Sequence, residues 1–206
     1  MAPLARCFEF LSFCGVGDVL RIVGIAALAL ISGATDVNAK DFGLSEIRGG
    51  AMVHGVELSG HPNFFDSIDL SRFDDVNFEA LFRSPEIGAF QWLGAPRPAV
   101  GFTISTKGYE SFVHGGLDWH WQFGQTPFFA ELGLGLSVHD GYLHDAPTGY
   151  RDLGCRVLAY ERADLGVNLS EHWSAMLTME HSSHAALCGA DNQGINELGV
   201  RVGYKF

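Results

Sequence analysis

Near the end of the chain, His181 and Ser183 stand two residues apart, and these are types that can do chemistry together. A serine hydroxyl is a weak nucleophile at neutral pH unless a neighbouring base takes its proton. An imidazole can take that proton and later return it to a leaving alcohol. A pair of this kind suits ester hydrolysis. The stretch reads Glu180-His181-Ser182-Ser183-His184-Ala185, and Asn192-Gln193-Gly194-Ile195-Asn196 follows it. Side chains alternate across an extended chain, so His181 and Ser183 share one face while Ser182 and His184 take the other. Asn196 and Glu197 are likewise opposed. The plainer reading of the pair is two polar residues at the point where a strand leaves its sheet.

Whether these residues meet depends on the elements that carry them. The dominant signal is a period of two. From Val113 to Phe123 the odd positions are Val, Gly, Leu, Trp, Trp and Phe, and the even ones are His114, Gly116, Asp118, His120 and Gln122. One face is apolar and the other polar. The pattern predicts eight strands, at about 45–56, 75–84, 98–106, 111–123, 127–139, 155–168, 172–183 and 194–206. Lengths near ten residues suit a tilted crossing of a bilayer, and an even number lets an antiparallel sheet close without edges. The polar faces carry Arg48, Glu79, Arg83, Asp118, Glu131, Arg162, Asp164, Glu180 and Arg201. In a small closed barrel that face points inward, where opposite charges pair and side chains fill the lumen without leaving a pore. His54, His114, His120 and His139 read as members of the same interior network, and His144 and Asp145 as ordinary loop residues.

The apolar faces are nearly free of charge, and Trp119, Trp121, Phe123, Phe128, Trp173, Tyr204 and Phe206 cluster near strand ends, as membrane-interface girdles do. The fold expected is therefore an all-β, eight-stranded antiparallel transmembrane barrel. A secreted lipocalin-like barrel or β-sandwich is the alternative. Two features misfit: Glu161 falls on the apolar parity of the sixth strand, and the 85–97 connection is long for a turn. The parity of strands seven and eight puts His181, Ser183 and Asn196 on the outward, lipid-facing side, at the end level with the outer leaflet. A polar cluster facing hydrocarbon is costly unless it is used.

The ends of the chain bound the rest. Leu20–Ala34 is an apolar run with Arg21 near its start, and Val37-Asn38-Ala39 follows it, which reads as a secretory signal peptide over residues 1–39. Residues 40–206 then form one barrel domain. The chain's net charge of −11 disfavours nucleic acid as a partner. Cys7 and Cys14 leave with the signal peptide. Cys155 and Cys188 fall at the same end of the expected barrel, where a disulfide is geometrically reasonable and two free thiols are the alternative. No cysteine or histidine spacing of a zinc site is present.

The residues 181–196 resemble those of the PagL-type lipid A 3-O-deacylases, outer-membrane acyl hydrolases with a His-x-Ser-Asn-Ala stretch followed by Asn-x-Gly and then an acid. The resemblance is clearest over 172–206 and reaches, more weakly, back to Ser45-Glu46-Ile47-Arg48. It implies an outer-membrane enzyme that removes an ester-linked hydroxyacyl chain from the glucosamine backbone of lipid A in lipopolysaccharide. It implies Ser183 as nucleophile, His181 as base and no metal or cofactor. This chain departs from the pattern twice. The acid position holds Asn196, with Glu197 as a neighbouring alternative, and the oxyanion position after the serine holds His184 rather than Asn. The competing reading is a non-catalytic outer-membrane barrel with a structural or surface-interaction role. Pairing of two barrels as a homodimer stays open.

Overall fold

The computed structural model describes residues 43–57, 68–189 and 191–206; the expected signal segment lies outside them. Eight strands form one closed antiparallel barrel in sequential order, with β8 returning to β1. They are β1 (Leu44–Val53), β2 (Phe73–Phe82), β3 (Arg97–Ser105), β4 (Phe112–Gln122), β5 (Phe128–His139), β6 (Val157–Asn168), β7 (Trp173–Ser183) and β8 (Ile195–Lys205). Closure runs from Glu46 opposite Lys205 to Val53 opposite Leu198. Every strand therefore has a partner on both sides, and no edge is left exposed. No described helix is long and apolar enough to cross a bilayer.

The period-two pattern sorts the side chains as expected. Leu132, Leu134, Leu136, Leu165, Leu177, Val200 and Val202 point outward and are exposed. Trp121, Phe123, Phe128, Trp173 and Phe206 form an exposed aromatic belt at the end that carries both chain termini. Such a continuous apolar wall suits hydrocarbon. Two of the three connections at the terminal end are short, 123–127 and 169–172, whereas three of the four at the opposite end are longer, 54–72, 140–156 and 184–194. By the rule for these barrels the long-loop end is the outer one. The long 83–96 connection is explained by a short helix, α1 (Gly88–Trp92). It is tied to the wall by a hydrogen bond from Trp119 Nε1 to the Leu93 carbonyl at 2.8 Å.

The lumen is filled by a charge network. Arg48 bonds Glu46 at 2.9 Å and Glu131 at 2.5 Å. Arg162 pairs with Glu79 and Asp118, and with Asp164 at 2.7 Å. Arg201 reaches Asp164 at 2.8 Å and Glu79 at 3.3 Å. Arg97, from the start of β3, joins Glu46, Asp118 and Glu131 at 2.9, 2.6 and 2.7 Å. Pairing on this scale is what makes burial of charge tolerable in a low-dielectric interior. Arg83 is a correction. It lies one residue past β2 and is exposed, because the strand ends at Phe82 before the chain turns. Nearer the inner end, Phe129 is buried directly opposite Gly166. A Cβ at Gly166 would fall 2.1 Å from the Phe129 ring, so only glycine lets that ring lie across the strand.

Candidate active site

β7 and β8 bring three sequence-selected residues into one hydrogen-bonded line. His181 stands opposite Asn196 in the register. His181 Nδ1 lies 2.6 Å from Asn196 Oδ1, and His181 Nε2 lies 3.0 Å from Ser183 Oγ. Asn196 Nδ2 donates to the Val56 carbonyl at 3.0 Å. That bond fixes which end of the amide faces the imidazole: the oxygen does, so Nδ1 carries the ring proton. Nε2 is then free to accept the serine proton. The neighbours Glu180, Ser182 and Glu197 are buried in the lumen, while His181 and Ser183 lie on the outer wall, half-buried. Asn196 shares their side but is only 8% exposed, because the chain after β1 covers it through Val56.

The other two candidates are not brought to the line. Glu197 is fully buried on the lumen side. His184 is buried with its ring committed: Nε2 donates to the Asp191 carbonyl at 2.5 Å, and Nδ1 accepts the Cys188 N–H at 3.3 Å. Its own N–H donates to Asn192 Oδ1 at 3.2 Å. His184 and Asn192 thus shape the turn that follows the serine. That turn passes through two left-handed alanines, Ala185 (φ 49°) and Ala186 (φ 62°). L-residues rarely hold this conformation, and it persists where surrounding structure enforces it. Gly194 (φ 65°) packs against the pair from the β8 side, where a Cβ would come within 3.3 Å of the His181 ring.

Further ties hold the loop between β7 and β8. Cys155 and Cys188 are disulfide-bonded, Cα to Cα 5.8 Å. His144 pairs with Asp191 at 2.7 Å, and Asp152 and Gln193 exchange hydrogen bonds at 2.9 and 3.1 Å. The loop that separates Ser183 from Asn196 is thereby strapped to the β5–β6 loop. Closing a 33-residue separation restricts the unfolded chain by roughly 3–4 kcal/mol in the chain-entropy picture. Replacing both cysteines by serine should leave the barrel closed, lower its heat-unfolding midpoint, and open the 184–194 loop to protease. Gel mobility and limited proteolysis would show both changes.

One residue of the wall was visible in the sequence only as a misfit. Glu161 on β6 is exposed and stands directly opposite His181, on the side away from Asn196. The imidazole therefore has an amide on one flank and a carboxylate-bearing residue on the other.

A family model for lipid A 3-O-deacylase (PagL) matches residues 77–205, most of the barrel and all of the site on β7 and β8. The chain belongs to the PagL lipid A 3-O-deacylase family. Among solved structures, that of the outer membrane enzyme PagL shares the fold at a TM-score of 0.53 and 14% identity, over 77% of this chain and 98% of that one. The N-terminal β-barrel domain of Pseudomonas aeruginosa OprF aligns at 0.51 and 11%, over 80% and 98% respectively. No curated protein matches the chain. This PagL-family protein is an outer-membrane barrel of the lipid A deacylase class.

Proposed function

We propose that this protein hydrolyses an ester-linked hydroxyacyl chain on the glucosamine backbone of lipid A, with Ser183 as nucleophile and His181 as general base. The observation that carries the reading is the hydrogen-bonded line Ser183–His181–Asn196 on the lipid-facing wall at the outer end. Ser183 Oγ attacks the ester carbonyl as its proton passes to His181 Nε2. The tetrahedral intermediate collapses, and the protonated imidazole returns the proton to the departing sugar hydroxyl. Water, deprotonated by the same imidazole, then cleaves the acyl-serine ester and regenerates the hydroxyl. Because the His184 ring and N–H are engaged elsewhere, the oxyanion in this proposal is met by backbone N–H groups of the turn that follows Ser183.

Asn196 orients the imidazole but cannot stabilise its positive charge. In this proposal Glu161 supplies the negative charge that does so. Opposite residues of an antiparallel pair have Cβ atoms about 4.5–5.5 Å apart, within reach of a glutamate. A carboxylate on a lipid-facing wall is expensive without a use. Glu161→Gln should lower kcat about 10-fold with little change in KM, and Asn196→Glu in that background should restore most of the loss. An unaltered kcat in Glu161→Gln would remove Glu161 from the mechanism and leave the serine pair standing.

The proposal is tested on lipid A itself. Purified barrel incubated with lipopolysaccharide should remove the mass of one hydroxyacyl group by mass spectrometry, and the Ser183→Ala barrel should remove none. Unchanged lipid A with the intact barrel favours the second reading, a non-catalytic structural barrel, which the amide at 196 and the committed ring of His184 support.

A further inference from the structure

The outer end of the lumen holds a cluster that the hydrolytic mechanism does not use. His54 follows β1, Asp75 is on β2, Glu197 is on β8, and Glu110 lies in the connection between β3 and β4. His54 Nδ1 is 2.6 Å from Asp75 Oδ2 and 3.6 Å from Glu197 Oε1, and His54 Nε2 is 2.9 Å from Glu110 Oε2. All four side chains are buried, with at most 1% of each exposed. One donor atom from each of His54, Asp75 and Glu197 lies within 4.8 Å of the other two.

The arrangement is short of positive charge. Among the described residues, neither carboxylate oxygen of Glu197 has a hydrogen-bond partner, nor does Asp75 Oδ1. A buried carboxylate oxygen left without a donor loses its hydration for nothing in return. Deeper in the lumen arginines meet this need. Here Arg72 lies over the Tyr109 ring, 4.3 Å from its centre, and Arg151 is spent on the Gly55 carbonyl and Glu57. Glu110, meanwhile, holds the far nitrogen of the imidazole. That leaves Nδ1 directed at the two acids, which is how a carboxylate commonly orients a metal-binding histidine.

We propose that His54, Asp75 and Glu197 bind one divalent transition-metal ion, with Glu110 orienting the imidazole. One imidazole nitrogen and two carboxylates form a donor set suited to zinc. Ligands at about 2.0–2.2 Å from a tetrahedral ion stand roughly 3.3–3.6 Å apart. The His54–Glu197 separation already meets this spacing, and His54–Asp75 widens as the ion replaces the proton between them. The ion ties together β1, β2 and β8 at the rim. It also braces the hydrolytic line from behind, since Glu197 follows Asn196 and Val56, two residues past His54, receives the Asn196 amide. No sequence spacing announces the site, because its three ligands come from β2, β8 and the turn that follows β1.

The test is independent of lipid A hydrolysis. Tag-free barrel, stripped with a chelator, is titrated with Zn2+ by calorimetry and its bound zinc counted by elemental analysis after dialysis. One equivalent per barrel, a heat-unfolding midpoint raised by zinc, and loss of binding in both Glu197→Gln and Asp75→Asn are expected. Glu110→Gln should weaken binding about 10–100-fold. Ser183→Ala should bind as the parent does. Absence of stoichiometric zinc, or binding retained in both neutral variants, would overturn the proposal. If one neutral variant fails to fold, the other decides.

Discussion

Ser183→Ala should reduce lipid A deacylation by at least ~10^3-fold while leaving the barrel as stable as its parent. Ser183 is the last residue of β7 and points outward, so removing its hydroxyl opens no cavity in the lumen. The nucleophile disappears; its scaffold does not. His181→Ala should cost about as much, because a serine without its base and a base without its serine are equally idle. Both variants should keep the shift in gel mobility that separates a folded barrel from its heat-unfolded form. A collapse of that shift in either one would assign the pair a structural role in place of a chemical one.

The second large effect is on the barrel itself. Arg162 serves Glu79, Asp118 and Asp164 at once. Arg162→Met keeps the length of the side chain but takes one arginine away from three buried carboxylates, leaving Glu79 and Asp164 to Arg201 and Asp118 to Arg97, and breaking a buried pair in this way costs ~3–5 kcal/mol. Urea unfolding of the refolded barrel should show a loss of that order. Arg83→Ala makes the control. That arginine is exposed past the end of β2, and surface changes of this kind fall within about ±0.5 kcal/mol. Equal stabilities for the two variants would mean that the interior network contributes far less than its geometry implies.

Much of this architecture was legible because a strand has only two faces. Once period two was recognised in 113–123 and 128–138, the direction of His181, Ser183 and Asn196 followed, and so did the inward placement of Arg48, Glu131, Arg162 and Arg201. Glu161 was legible too, as a charge of the wrong parity. What parity cannot supply is register and reach. It says that Glu161 faces outward, but not that it stands opposite His181. It puts Asn196 on the wall, but not beneath Val56. Arg97 was missed because it opens β3, next to prolines at 96 and 98, and its long side chain enters the lumen from the rim. Arg83 was misplaced because a period-two pattern does not say where its strand stops. His184 sits in a turn whose conformation depends on Asp191, Asn192 and Cys188, none of which the local pattern links to it. The cluster of His54, Asp75 and Glu197 needed the whole barrel to close before its members met.

The most direct measurement is covalent labelling of the folded barrel in detergent by a fluorophosphonate, which reacts with serine hydroxyls that a neighbouring base has activated. Mass analysis should find one adduct, on the peptide carrying Ser183, and His181→Ala should abolish it. A folded barrel that takes no label, or takes it on another serine, would contradict the assignment of Ser183 as the nucleophile.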